Sequence, residues 1–493
     1  MDVLLTFMRI KSLRMRIVFF FALFFFVSAT SFSQDKWDLQ QCIDYAFQNN
    51  VTVQQSALNV QRSEIGLKQS KLGLLPNLNT GATYGFNFGQ RIDPFTNQFA
   101  TDRVSTSNLF LSSSLDVFNG FSKRNSMKSN QQDVEASRYD LESIKNDISL
   151  QVCLAYLRVL QNKESLLVSQ NQIGITQLQV DRMKKVVEAG QSPRGTLFDL
   201  ESQLAQEQLN LVNAENAVNL ALLSLTQLLQ LDYDEAQQFD IVKPDLTDEG
   251  VELMSNSAQD IYLKAKGMMP QVQAAEARQS SAEYALSSTQ GQLYPSLQLS
   301  GSLGSGFSEL NRVVTDEGEF TTFPIGTVVV DGDILPVNSF PQPDPATQSF
   351  ETKSFGDQLQ DNFNQNLQLT LSVPIFNGWS AKANVERAKI NQLDANLTYR
   401  QVTNQLRFDI EQAYADAKAA MNTYLASEQA VRALEESFKY AEVRYEQEVI
   451  NAVDFNTTKT QYTNAQVDML RSKYDFVFRT KILDFYLGNP ITL

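Results

Sequence analysis

The chain has 493 residues, a net charge of −15, 43% hydrophobic residues, two cysteines and no histidine. So acidic a balance argues against a nucleic-acid ligand, and the lack of histidine removes the commonest general base and metal ligand. Two cysteines cannot build a disulfide-rich fold or a zinc cluster, and there is no phosphate loop, nucleophile elbow or metal motif, so the sequence reads as neither an enzyme nor a cofactor protein.

Residues 1–33 read as a secretory signal peptide. Arg9, Lys11, Arg14 and Arg16 precede the apolar run Ile17–Val27, and Ser31 and Ser33 flank Phe32, the small residues that a cleavage site needs. Cleavage is expected after Ser33. The competing reading, a membrane anchor helix, needs ~20 apolar residues, more than this run supplies.

Beyond the signal the chain repeats itself. Asn119–Gly120 in VFNGFSKRN recurs as Asn377–Gly378 in IFNGWSAKAN, an offset of 377 − 119 = 258. The same offset carries Ala155–Tyr156 onto Ala413–Tyr414, Gln203 onto Gln461 and Leu229 onto Leu487. Upstream, LLPNL and LYPSL align Pro76 with Pro295 at an offset of 219, which also carries Ala46 onto Ala265, Val53 onto Val272 and Leu67 onto Leu286. A lone Asn-Gly is weak evidence, because any turn can use it. Two registers kept over this length mark a tandem duplication. The offsets differ by 258 − 219 = 39, so the second copy carries an insertion between Pro295 and Asn377. The division expected is a first repeat at 34–230, a linking segment at 231–257, acidic and containing Pro244, and a second repeat at 258–493.

Each repeat reads as helix, strand, loop, strand, very long helix, tight turn, helix. The first helix is expected from about Leu39 to Leu72, and in the second copy from about Ala258 to Gln290, where proline stops it. Four strands follow, two per copy, with period-2 alternation. In NLNTGATYGFNFG, Leu78, Ala82, Tyr84, Phe86 and Phe88 oppose Asn77, Asn79, Thr83 and Asn87. In NLFLSSSLDVF, Leu109, Leu111, Leu115 and Val117 oppose Asn108, Ser112, Ser114 and Asp116. SLQLSGSLG repeats the pattern with Leu297, Leu299 and Leu303, and NQNLQLTLSVPIF sets Leu367, Leu369, Leu371, Val373 and Ile375 against Asn366, Gln368, Thr370 and Ser372. A half-buried soluble sheet would show the same pattern but needs a covering layer. For an exported chain the alternative is lipid on one face and water on the other, since ~9–11 tilted residues cross a bilayer. Four strands cannot close a barrel, and lipid tolerates no unpaired edge, so the chain is expected to oligomerise. A dimer would give eight strands, whose interior side chains fill, and a trimer twelve, which enclose a pore.

From Phe121 to Gly190 there is no proline and one internal glycine, Gly174, about 70 residues or ~105 Å of helix. Ile144, Ile148, Val152, Ala155 and Val159 form a narrow stripe at helical spacing, as in a coiled coil. AGQSPRG at 189–195 breaks this helix, and a return helix runs from about Thr196 to Gln230. Asn119, Gly120, Asn377 and Gly378 mark the point where a strand gives way to a long helix, a break that Asn and Gly suit. The insertion, about 310–350, holds Pro324, Pro336, Pro341, Pro343 and Pro345 and is expected to be an irregular loop.

In order and spacing these features resemble the outer-membrane efflux family typified by TolC. The resemblance covers nearly all of the chain after the signal: two copies, a proline before each first strand, the FNG exit and the copy ends LL and YLG. It implies a mainly α fold with a membrane β part, in which a homotrimer forms a long α-helical barrel continuous with a 12-stranded β-barrel. It implies a passive outer-membrane duct without enzymatic activity or cofactor, for efflux or type I secretion, with its helices in the periplasm. The insertion would lie outside the cell. The partners implied are a periplasmic adaptor (membrane fusion) protein, an inner-membrane transporter of RND, ABC or MFS type, and outer-membrane lipid. Adaptor docking falls on the helical tips at Gly190, Pro193, Glu448 and Asn451. The family's tip often reads Gly, Ser or Pro three on, then Asp; here Thr196 replaces that Asp in copy one, and Glu448 replaces the Gly in copy two. Two acidic aperture positions a turn apart then hold one residue each, Asp454 and Asp199; the bland alternative is a pair of solvated carboxylates near helix N-termini. Two other functions stay open on the residues alone, a periplasmic coiled-coil tether and a diffusion porin. The alternating strands argue against the first and the ~70-residue helices against the second. Cys42 lies 76 − 42 = 34 residues before Pro76 and Cys153 lies 153 − 119 = 34 after Asn119, so the two share a depth that permits either a disulfide or two buried free thiols.

Overall fold

The computed structural model describes residues 36–100, 103–244, 256–447 and 449–492. The signal peptide expected at 1–33, part of the linking segment (245–255) and Glu448 lie outside the described residues. In chain order the elements are α1 (Leu39–Asn49), α2 (Val51–Leu72), β1 (Asn79–Asn87), β2 (Arg91–Ile92), β3 (Phe99–Ala100), β4 (Val104–Asn119), α3 (Ser122–Glu188), α4 (Arg194–Leu229) and α5 (Tyr233–Gln238). The second copy continues with α6 (Ala258–Met268), α7 (Pro270–Gln290), β5 (Ser296–Ser308), β6 (Arg312–Asp316), β7 (Phe320–Thr321), β8 (Pro324–Val330) and β9 (Asp333–Asn338). It ends with β10 (Gln342–Pro343), β11 (Ser349–Thr352), α8 (Phe355–Asp361), β12 (Asn364–Ser372), α9 (Ser380–Glu446) and α10 (Ala452–Tyr486). Helices α3 and α9 have 67 residues each, and α1 and α6 have 11 each.

The described residues divide into two compact units, one drawn from 36–61, 136–244, 256–276 and 398–492, the other from 62–135 and 277–397. The first unit is helical and holds two cores built from corresponding residues. Cys42, Ala46, Val53, Ile148, Val152, Val159 and Leu225 pack in one; Ile261, Ala265, Val272, Leu406, Ile410, Ala417 and Leu483 pack in the other. Each such side chain taken out of water contributes ~1.5–3 kcal/mol for a large aliphatic. Caps repeat too. The Asp38 carboxylate accepts from the Gln41 N–H at 2.7 Å, and the Ser257 hydroxyl accepts from the Asp260 N–H at 3.2 Å, each closing a reciprocal capping box.

The single first helix expected in each copy is broken in the structure. Asn50 and Met269 are extended, with ψ of 122° and 124°. In copy two, Pro270 pushes the preceding residue out of the helical region. In copy one, Asn50 does the same work through its side chain: its Oδ1 accepts from the Thr52 N–H at 2.9 Å, and its Nδ2 donates to the Leu228 carbonyl at 3.2 Å.

The second unit is built on one antiparallel sheet, ordered β1-β4-β5-β12. Its registers repeat as well. Asn79 pairs with Ser112, and their counterparts Gln298 and Thr370 also pair. The insertion is not an irregular loop. Strands β8 and β9 form a hairpin around Asp331–Gly332, whose φ values of 53° and 95° are those of a primed turn. Strand β11 pairs with β6 and β10 with β7. Pro324 starts β8, Pro336 and Pro343 lie in short strands where a missing N–H is tolerated, and Pro341 and Pro345 lie between strands. The fourth strand, expected to reach Ile375, stops at Ser372.

Candidate channel sites

Rows of side chains cross the sheet, and neighbours in a row share a face. Asn79, Ser112, Ser302 and Asn366 make one row, Ser114, Ser300 and Gln368 a second, and Asp116, Gln298 and Thr370 a third. On the other face, Leu115, Leu299 and Leu369 align, as do Leu111 and Leu303. One face is therefore polar and the other apolar along the strands. Phe110 breaks the pattern on the polar face. Its ring lies over Gly81, where an added Cβ would meet the ring at 2.6 Å. The strand pairing reveals the glycine that accommodates it.

At the end of this sheet where β4 begins, Asp93, Ser308 and Gln358 are buried. The Asp93 carboxylate accepts from the Ser308 hydroxyl at 2.5 Å and from the Phe95 and Thr96 N–H groups at 3.0 and 2.9 Å. The Gln358 amide bonds Ser308 in both directions, at 3.0 Å each. Together they tie three connecting segments. Sequence reading missed this cluster, although Asp-Pro at 93–94 is a turn signal.

At the strand-to-helix junctions, Gly120 and Phe121 have φ of 63° and 61°, and Gly378 and Trp379 have φ of 64° and 66°. Two successive left-handed residues break the extended backbone, so that Asn119 ends a strand and α3 begins at Ser122. Asn377 accepts from the Ala381 N–H at 3.4 Å. Lys123 pairs with Asp116 at 2.6 Å and donates to the Gly73 carbonyl at 2.8 Å, joining the base of the sheet to the end of α2.

In the helical unit, Gly190 (φ 73°) closes α3, with its N–H on the Val187 carbonyl at 2.9 Å, and Pro193 caps α4 without a side-chain bond. Asn451 caps α10, its Oδ1 accepting from the Asp454 N–H at 2.8 Å. Asp199 and Asp454 are both exposed near the starts of α4 and α10. Beside the second tip, Phe455 packs with Phe438 and Tyr445; the counterparts in copy one are the aliphatic Leu197, Val180 and Val187. Cys42 and Cys153 lie in one core and are free thiols. Burial, aided by Asp38, pushes Cys42 up to about 12, and burial pushes Cys153 up to about 12 against the pull of Lys481.

One site had no signal in the sequence. Lys459 on α10 reaches Glu207 on α4 at 3.2 Å and also bonds Thr176 on α3. Thr176 bonds the other Glu207 oxygen, and Gln203 donates to Glu207 at 2.9 Å. Burial lowers the Lys459 pKa below the ordinary lysine value, against the attraction of Glu207. The counterparts, Glu201 and Ala465, carry no such pair, so the repeat could not announce it. Among the described residues no group of His, Cys, Asp and Glu could hold a metal ion, and no helix is long and apolar enough to cross a membrane.

The sequence matches the family described as outer membrane efflux protein over residues 42–230 and 262–489. No curated protein is similar enough to serve as a relative. The structure is similar to the outer membrane protein VceC of Vibrio cholerae, with TM-score 0.70, 16% identity and 92% of this chain and 96% of that chain covered. It is also similar to the CmeC outer membrane channel of Campylobacter jejuni, with TM-score 0.70, 15% identity and coverage of 93% and 88%. The open state of the MtrE outer membrane channel of Neisseria gonorrhoeae matches with TM-score 0.66, 17% identity and coverage of 92% and 90%. With its long paired helices, its small amphipathic sheet and a family match over most of its length, the chain belongs to the outer membrane efflux protein family and is a non-enzymatic, TolC-type channel of the outer membrane with a periplasmic helical part.

Proposed function

We propose that three copies of this chain close a twelve-stranded barrel and form a passive export duct. The observation that carries this is the four-stranded sheet, polar on one face and apolar on the other, with one edge of β1 and one of β12 unpaired among the described residues. An unpaired edge cannot face lipid, and twelve strands leave a pore where eight would fill. Outer-membrane lipid would cover the leucine face, and the rows around Ser112 and Ser302 would line the pore. TolC-family channels act in tripartite efflux systems. For this chain we assign docking of a periplasmic adaptor (membrane fusion) protein to the tips at Gly190, Pro193, Glu448 and Asn451, with an inner-membrane RND, ABC or MFS transporter as the driving partner. Asp199 and Asp454 would ring the periplasmic aperture, six carboxylates in three chains. The cargo, small molecules or proteins, is set by the transporter. Mass measurement of the detergent-extracted protein should give three chains; a stable monomer holding a complete barrel would overturn the proposal.

A further inference from the structure

We infer that β12 of one copy pairs with β1 of the next in a register dictated by the chain's own β4–β5 ladder, and that residues 373–377 become strand only on that partner. The inference rests on the multi-copy barrel proposed above and adds which residue meets which.

The internal repeat sets this register. Strand β12 corresponds to β4 at the 258 offset, and β1 to β5 at the 219 offset, as the matching intrachain registers show. The β4–β5 ladder is thus a copy-one-to-copy-two seam, and the seam between chains has the same two partners with their roles exchanged. Within the chain Ser112 pairs with Ser302, Leu111 with Leu303 and Leu109 with Ser305. Their counterparts place Thr370 opposite the partner's Thr83, Leu369 opposite the partner's Tyr84 and Leu367 opposite the partner's Phe86. These pairs match in polarity, although the template was not chosen for that. A slip of one residue would set Leu369 against Thr83 or Gly85 and turn apolar side chains to the polar face. Polarity thus excludes odd slips, and the repeat excludes a slip of two.

Burial supports the same seam. Phe118 and Val117, covered along β5, are 37% and 54% exposed, while their counterparts Phe376 and Ile375 are 85% and 95% exposed. A Cβ added at Gly120 would meet the Gly291 carbonyl at 2.3 Å, whereas one added at Gly378 would enter open space. Strand β4 stays paired to Asn119 opposite Ser296, past a register shift between Asp116 and Phe118. The counterpart stretch Pro374–Asn377 has lost its ladder. On the partner, Phe376 would face the partner's Leu78 and Asn377 the partner's Asn77. Pro374, which has no N–H to give, sits where Asp116 borders that irregularity, a place where proline is tolerated.

Cysteine pairs in cell envelopes test this with a short thiol-to-thiol linker, which reaches a directly opposite pair at ~5 Å but not a diagonal one at ~7–8 Å. The combination Thr370→Cys with Thr83→Cys should convert most of the protein into linked chains on a denaturing gel. Thr370→Cys with Gly81→Cys, or with Gly85→Cys, should give no more than about a tenth of that, as the distance difference requires. The unsubstituted chain, whose thiols are buried, provides the background. Linking through a shifted pair would overturn the register, and a product confined to one chain would mean that the edges meet within a copy. The native mass is read on the same variants, so a wrong register in a three-chain assembly is distinguishable from failure of the assembly itself.

Discussion

Lys459 and Glu207 form an ion pair sealed from water, with charged atoms 3.2 Å apart and side chains 1% and 5% exposed. The pair ties α10 to α4, and through Thr176 to α3. Removing one partner strands the other charge, which costs ~3–5 kcal/mol. Lys459→Met and Glu207→Leu should therefore each lower the chemical unfolding midpoint of the purified channel. The double substitution should recover most of the loss, because a well-packed apolar pair is often neutral or better. Equal destabilisation in the single and double variants would show that the polar network, not the charge balance, holds these helices.

Asp240 joins the start of α1 to the segment after α5. Lys36 reaches it at 3.0 Å, and Lys163 and the Ile241 N–H also bond it. Burial alone would raise its pKa, but these hydrogen bonds outweigh it and hold the carboxyl below the usual range. A depressed folded-state pKa stabilises the protein above the unfolded value near ~4, and that contribution disappears as pH falls through the folded value. Unfolding measured from pH 7 down to pH 3 should show a drop that Asp240→Asn flattens. Parallel curves for the two proteins would remove Asp240 from the account.

Changing both Asp199 and Asp454 to Asn should reduce cation selectivity and weaken block by multivalent cations in single-channel recordings, as expected for a lost acidic ring. Unchanged conductance and block would place both residues on the outer wall.

Phe110 is a large side chain on the mostly polar face. Phe110→Ala should raise single-channel conductance. Gly81→Val should lower it, because the new side chain displaces the ring from its seat on Gly81. If neither changes the current, Phe110 does not bound the narrowest part of the pore.

The two cysteines should both react. Thiol labelling of the denatured, unreduced chain is expected to find two thiols, since both are free and burial suppresses the thiolate that exchange requires. A bridge formed in the oxidising periplasm would leave none.

Much of this fold was readable because the chain states it twice. The Pro76/Pro295 and Asn119/Asn377 registers predicted where elements recur, and alternation predicted the two faces of the sheet. What escaped was whatever depends on partners distant in sequence. Asn50 breaks its helix by bonding Leu228, which no local pattern reveals, although Pro270 in the other copy was a visible hint. The β8–β9 hairpin is legible in VVVDGDIL, an Asp-Gly between apolar runs, although the five prolines of the insertion carry the opposite signal. Lys459 and Glu207 occupy helical positions that look like solvated charge until three helices close around them. Of the sites, the junction glycines were marked by repetition itself; Asp199 and Asp454 stood out only through a family resemblance.

The equal 67-residue spans of α3 and α9 act as a shared ruler. Deleting one residue of α9 between Phe438 and Glu446 would shorten it by ~1.5 Å and turn everything beyond by ~100°, swinging Phe455 off Phe438 and putting Asn451 out of step with Pro193. Deleting seven from both, with matching cuts in α4 and α10, would keep every face and move the tips by ~10 Å. Length in such a chain can therefore drift only in paired heptads, while the connection between β5 and β12 is free to grow alone, as its 258 − 219 = 39 extra residues attest.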